Sequence, residues 1–450
     1  MLFKKIITAF VKQTNTNDGI NIRFGRYSDA HKTLEKYDSW TRSTTFFEEK
    51  NYLQAYLEFF NYLLDDDESN LSYDVIQTNK DDFKIEFTLQ QGSKIVRGFA
   101  NSEEFVGEVK LVKTKNNLHI ALGRRLMEMN YTLLYSGFSL DKDGVIWIRF
   151  TTNTVDSFAG KLYNGLREIA TRSDAQDDLL LNEFTNLLEA IDDKHIEFLP
   201  KKQQEVKLHF LKKWIKETVE QIQKLNPQQL ASAISYMLLT LLYRIDYLLT
   251  PEGTMTAMLE DIHKVIFYDQ NRQPIERNSY AINQFEKIIA LSDEELLPNF
   301  YETKSTFGIA KPAYQQEMKE VVEKQIQAAF WFDKNNQEEF TPFVFEYIAG
   351  YSLFNYGLSR PTKEFLHLYF QILYPDFFEA LGAKHTFSEK NGKEIKLQKN
   401  LITKRIAFIL ETWEEMYPNL YEKKTKLSYK EFINFSSDYF SFVKELKINN

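Results

Sequence analysis

The sequence predicts an α+β N-terminal part, an antiparallel sheet with flanking helices, followed by a large all-α helical domain. Three observations lead there. Over Phe83–Leu89 apolar residues alternate with polar ones, the period of a strand with one buried face. Beyond Leu199 the apolar spacing stays near 3.6 residues, the period of amphipathic helices. Glycine and proline number only 16 and 10 in 450 residues, which favours long helices over many tight turns. A chain of this length exceeds one hydrophobic core. The partition predicted is an N-terminal helix and extended segment over 1–44, an α+β domain over 45–195 and an all-α domain over 196–450.

In the first segment, Leu2, Phe3, Ile6, Ile7, Phe10 and Val11 share one helical face, with Lys4, Lys5 and Lys12 elsewhere. Its apolar run, Ile6–Val11, is too short for a secretory leader and no small-residue cleavage site follows. A helix docked on the protein's own body is the first reading, and a membrane-surface helix the second. From Leu34 to Leu64 two helices follow, the second with Tyr52, Ala55, Tyr56, Phe59, Phe60, Leu63 and Leu64 at helical spacing. Trp40, Ala55 and Phe59 echo a tetratricopeptide hairpin, but no second copy lies nearby to stack on it.

Three strands come next, Phe83–Leu89, Lys94–Ala100 and Phe105–Val112, an antiparallel meander. A helix over Leu118–Tyr135 carries Leu118, Leu122, Leu126, Met129 and Leu133. In FSLDKDGVIWIRF an Asp-Gly turn divides two strands, and a helix or helix pair spans 157–191. Pro200 and clustered charges interrupt the pattern at Lys194–Lys202.

In the helical part Val206, Phe210, Trp214, Ile215, Val219 and Ile222 form an amphipathic stripe. Asn226-Pro227 reads as a helix start, and Ser292 with Glu295 and Ser428 with Glu431 read as capping boxes. Leu230–Leu249 is the most apolar stretch; Arg244 and Asp246 within it mark a buried core helix rather than a membrane span. Further helices are predicted near 254–267, 279–291, 311–332, 340–356, 361–374, 400–416 and 428–446. An Asn-Gly hairpin falls in HTFSEKNGKEIKL.

From Thr45 to Ile191 the order is helix, three-strand meander, helix, two strands, helix. The segment RRLMEMNYTLLYSGFSLDKDGVIWIRF (Arg124–Phe150) pairs Met129-Asn130 with Tyr131 and then Asp143-Gly144. This third of the chain resembles the type III secretion chaperone-like fold, shared with the YbjN family. Small chaperones lack the long helical part after Leu199. The resemblance implies a non-enzymatic, partner-binding role, often with dimerisation.

Composition excludes several chemistries. The absence of cysteine removes disulfides, thiolate metal sites, iron–sulfur clusters and a cysteine nucleophile, and fits a reducing, cytoplasmic setting. The use of Lys, Asn, Ile and Phe suggests an AT-rich bacterial genome. A net charge of −8 argues against a general nucleic-acid binder. The best basic run, Lys201, Lys202, Lys207, Lys212, Lys213 and Lys216, is interleaved with Glu205, Glu217 and Glu220. Histidines 31, 119, 195, 209, 263, 367 and 385 show no metal spacing. The acidic run from Asp65 has Asn70 and Ile76 where a calcium loop needs Gly and Glu, and counting from Asp141 the Gly position holds Ile146. Phosphate-loop, dinucleotide and nucleophile-elbow motifs are lacking, so no catalytic residue, cofactor or metal site is assigned.

One surface is singled out. In Val145–Phe150, Ile146, Ile148 and Phe150 take one strand face, and Val145, Trp147 and Arg149 the other. Trp and Arg are enriched among interface hot spots, so these three are the candidate partner-binding residues. The functional expectation is a cytoplasmic, protein-binding adaptor or chaperone-like protein. The alternatives are an enzyme with a site at the domain junction and a structural subunit of a larger assembly.

Overall fold

The computed structural model describes residues 20, 22–25, 32–65, 70–77, 82–116, 118–191, 196–308, 311–312, 315–392, 394–421 and 426–448. The amphipathic segment at Leu2–Val11 lies outside them. The chain divides into two compact units. One comprises Tyr27–Phe198 and Tyr301–Ile309; the other comprises Met1–Arg26, Leu199–Phe300 and Ala310–Asn450. The nine residues Tyr301–Ile309 thus leave the helical run and return to the α+β unit, a feature absent from the expected partition.

The α+β unit opens with helices α1 (Leu34–Glu48) and α2 (Tyr52–Leu63). Helix α2 buries Ala55, Tyr56, Phe59, Phe60 and Leu63. Seven strands follow around two helices: β1 (Leu71–Gln77), β2 (Phe83–Gly92), β3 (Lys94–Asn101), β4 (Glu104–Thr114), α3 (Ile120–Tyr131), β5 (Gly137–Leu140), β6 (Val145–Asn153), α4 (Ala159–Glu183) and β7 (Leu188–Ala190). The sheet runs β1-β2-β3-β4-β6-β5, with β7 on β4 and β10 (Lys304–Ser305) on β2. Strands β8 (Glu197–Phe198) and β9 (Tyr301–Glu302) pair separately, Phe198 opposite Tyr301. The β5–β6 connection turns on Gly144, whose φ of +80° suits glycine in the Asp-Gly turn.

The alternation of β2 is kept: Phe83, Ile85, Phe87 and Leu89 are buried. They join Val96, Phe105, Val109, Ile148 and Phe150, and α4 covers them with Leu162, Leu166, Ile169 and Ala170. The β2–β3 hairpin is tied to α4 by Lys94, whose Nζ lies 3.1 Å from Asp177 Oδ2, both groups buried. Strand β1 escapes the periodicity because Ser72, Asp74, Val75 and Ile76 are all exposed.

The helical unit contains α5 (Lys201–Ile222), α6 (Ala231–Arg244), α7 (Gly253–Tyr268), α8 (Pro274–Ala290), the short α9 (Asp293–Leu296), α10 (Gln315–Lys334), α11 (Thr341–Asn355), α12 (Arg360–Leu373), α13 (Pro375–Ala380), α14 (Lys399–Trp413) and α15 (Phe432–Val443). A parallel pair, β11 (Lys311–Pro312) with β12 (Tyr356–Gly357), and the hairpin β13 (Ser388–Asn391) with β14 (Glu394–Leu397) complete it. Helix α11 is central, with Val344–Gly350 continuously buried. It approaches α6 closely at Gly350, where an added Cβ would stand 2.5 Å from Tyr243 Cβ.

Two helix starts differ from expectation. Asn226 closes a turn instead, its Oδ1 accepting from Gln228 N at 3.0 Å, and α6 begins at Ala231. Ser428 caps nothing; its N–H donates to Asp438 Oδ2 at 2.8 Å and α15 starts at Phe432. The Ser292–Glu295 box does form. Arg244 and Asp246 sit within a buried stretch that passes from α6 into a π-helical turn, Ile245–Leu249. There Arg244 Nε and NH2 donate to Glu346 Oε1 and Oε2 at 2.8 and 3.0 Å, and Tyr374 OH donates to Oε1 at 2.5 Å.

Candidate protein-docking surface

The open face of the sheet carries the three residues singled out from sequence. Ile146, Ile148 and Phe150 point into the core; Val145 and Trp147 are half-buried and Arg149 is exposed. No helix of the α+β unit is needed to cover Trp147, because its neighbours do so. Lys110 Nζ and the Arg149 guanidinium stand 5.2 and 4.8 Å from its ring centre. Its Nε1 donates to Asp141 Oδ2 at 2.8 Å. That bond, with Val145 N and Asp143 N on Oδ1, holds the Asp141 carboxyl below its ordinary range, and nearby Arg149 adds to the effect. Arg149 is itself 3.0 Å from Glu108 Oε2 on β4. Within the patch these side chains pair with one another, and Val145, Trp147 and Arg149 keep part of their surface toward solvent.

Helix α3 presents the opposite situation. Leu122, Leu126 and Met129 are buried. On the other side Ile120, Arg124, Met127 and Tyr131 recur at the spacing of one helical face, and Leu134 lies in the turn that follows the helix. Ile120 is 73% exposed, Met127 72%, Tyr131 93% and Leu134 87%. Large side chains this exposed on one helical face mark a candidate interaction surface.

The stripe is held rigidly from beneath. Asn130 Oδ1 accepts from Phe138 N at 2.6 Å while its Nδ2 donates to Phe138 O at 3.2 Å, which fixes the end of α3 against β5. The turn carrying Leu134 is held by Glu168 on α4. Its carboxylate accepts from Leu134 N, Tyr135 N and Ser136 N at 2.8, 2.8 and 2.9 Å, and from Ser136 Oγ at 2.8 Å. Burial alone lifts the Glu168 carboxyl; these donors override it and hold the group below its ordinary value. The sequence did contain a signal for this face: α3 is apolar on two sides, and only one of them can meet the sheet.

Other sequence candidates are dispersed by the fold. Lys207 is fully buried and donates to Thr250 Oγ1 at 2.9 Å. Lys213 pairs with Asp376 at 2.8 Å, Lys212 with Asp293, and Lys201 and Lys216 lie 3.8 and 3.9 Å from Glu205 and Glu220. The basic run is therefore neither one face nor unopposed. His209 is exposed, whereas His263 is buried among aromatic rings. His31, His195, Asp67 and Glu68 lie outside the described residues. Among the described residues no three His, Asp or Glu gather as a metal-binding group, and no helix is long and apolar enough to cross a membrane.

No family model, curated protein or solved structure matches this chain.

Proposed function

We propose that this protein is a non-enzymatic, cytoplasmic adaptor of chaperone-like type, and that the outer face of α3 is where its partner protein docks. The observation that carries the reading is the set Ile120, Met127 and Tyr131 on a helix whose other face is buried, with Leu134 in the turn that follows, four large side chains more than 70% exposed. Arg124 lies in the middle of that line. The occupant it suits is an apolar protein segment with a carboxylate opposite Arg124, since Tyr and Arg supply anchoring contact and charge pairing at interface centres. Glu128, one turn from Arg124, gives a second copy of the chain the same complementarity. The likeness of the Thr45–Ile191 element order to secretion chaperones supports a partner-binding role.

The test compares wild type with Met127→Glu/Tyr131→Glu, first by light scattering for self-association and then by partner capture from source cells. The reading expects one association, with self or with a single protein, that the double variant abolishes while its melting temperature stays near wild type. Associations identical in the two proteins, or none in either, would overturn it.

A further inference from the structure

A distant extended segment of the same unit adds to the edge of the sheet at β2. This occupant is Lys304–Phe307, which reaches β2 from 216 residues away in sequence. Lys304 pairs with Gly92 and Ser305 with Gln91 in antiparallel register. Thr306 N donates to Gln90 O at 3.2 Å and Thr306 Oγ1 to the same carbonyl at 2.8 Å. The Gln91 side chain then grips the main chain of Phe307 at both ends: Nε2 donates to Phe307 O at 3.0 Å, and Phe307 N donates to Oε1 at 2.8 Å. Asn70 Nδ2 donates to Thr306 Oγ1 at 3.0 Å. The Phe307 ring is 2% exposed and meets Tyr163 edge-on at 5.4 Å.

Most of these bonds read main-chain atoms, as in strand addition to a sheet edge; the Thr306 hydroxyl, the Ser305 Oγ that accepts from Gly92 N at 3.2 Å, and one ring add side-chain selectivity. The receiving groups are built independently of the occupant. Asn70 is also held by Leu63 O, to which Nδ2 donates at 3.1 Å, and by Asp65 N, which donates to its Oδ1 at 2.7 Å. Gln91 stands at the end of an eight-pair ladder between β2 and β3. The occupant contributes a two-residue strand and one apolar anchor, Phe307, to a sheet whose other pairings are longer.

We infer that this clamp is a peptide-binding site closed by an internal ligand, and that its external ligand is an extended partner segment of the type hydroxyl–hydroxyl–Phe, matching Ser305-Thr306-Phe307. Displacing the internal segment would couple partner binding to release of Tyr301–Ile309. The site is separate from the α3 stripe and shares no residue with it, so failure of either proposal leaves the other standing.

The test is titration of a fluorescein-labelled peptide with the sequence of Tyr301–Ile309 into full-length wild type, Thr306→Val and Phe307→Ala. Thr306→Val is nearly isosteric and removes two hydrogen bonds without opening a cavity, so it keeps the question answerable if Phe307→Ala does not fold. The expected result is at least five-fold tighter peptide binding by Thr306→Val than by wild type, and no binding of a peptide with Ala in place of Phe. If folded Thr306→Val takes up no peptide at several hundred micromolar, or binds the Ala peptide equally, the inference is overturned and the segment is a permanent part of the fold.

Discussion

Trp147 and Asp141 are joined across the β5–β6 turn by a 2.8 Å hydrogen bond from the indole to the carboxylate, and that bond decides how the open sheet face behaves. A Trp free to anchor a partner has an unsatisfied N–H and open ring faces. In Trp147 the N–H is satisfied and Lys110 and Arg149 both stand against the half-buried ring. Trp147→Ala with Arg149→Ala is therefore expected to lower stability by about 1–2 kcal/mol through lost cation–π and packing contacts. Urea denaturation checks the value; a loss below a few tenths would show that the cluster holds nothing together.

The buried Arg244–Glu346 pair sets a second expectation. Its bidentate geometry and the Tyr374 hydroxyl satisfy both carboxylate oxygens in a setting where both side chains are buried. Removing one partner strands the other, so Arg244→Met should cost on the order of 3–5 kcal/mol. The double change Arg244→Met/Glu346→Leu should recover most of that loss. Equilibrium unfolding of the three chains separates the cases, and a double variant no better than the single one would assign the cost to packing instead.

His263 gives the helical unit a pH dependence. Its ring lies 4.7 Å from both Phe267 and Phe354, and burial lowers its pKa to about 4 from an ordinary 6.5. The folded state therefore disfavours the protonated form. The stability tied to neutral His263 is complete above about pH 6.5 and is lost progressively as pH falls toward 4, by roughly 3 kcal/mol at most. His263→Phe should flatten that window in a plot of melting temperature against pH. An unchanged slope between pH 6.5 and 4 would show that His263 is not the group responsible.

Gly350 reports the α6–α11 contact. A methyl group there would press on Tyr243 Cβ, so Gly350→Ala should destabilise by about 1–3 kcal/mol even though alanine favours helix. A gain in stability would mean that the helices can separate freely at this point.

Much of the architecture was legible because it rests on periodicity. The Phe83–Leu89 alternation and the α5 stripe from Phe210 to Ile222 appear as buried faces. The Met129-Asn130 pair read from sequence has a physical reason: Met129 is buried while Asn130 clamps the backbone of Phe138. What sequence could not show was long-range return. Lys304, Ser305 and Thr306 carry no apolar pattern, and they bond to residues over 200 positions away, while Glu302 pairs with Glu197. Of the site, Val145, Trp147 and Arg149 lie together as the alternation required, but charge pairing around them comes from Lys110, Glu108 and Asp141 on other stretches. The α3 face was passed over because one apolar line, Leu118, Leu122, Leu126, Met129 and Leu133, already accounted for the helix, and the second, Ile120, Met127 and Tyr131, is interrupted by Arg124.

The most direct measurement is site-specific crosslinking from that face. The chain has no cysteine, so Met127→Cys carries a photoreactive label at one place only, and Lys142→Cys on the exposed β5–β6 turn serves as control. The account predicts one discrete adduct from position 127, with a single protein or a second copy, that is absent from position 142 and lost when Tyr131→Glu is added. The same adducts from both positions, or none from position 127, would contradict it.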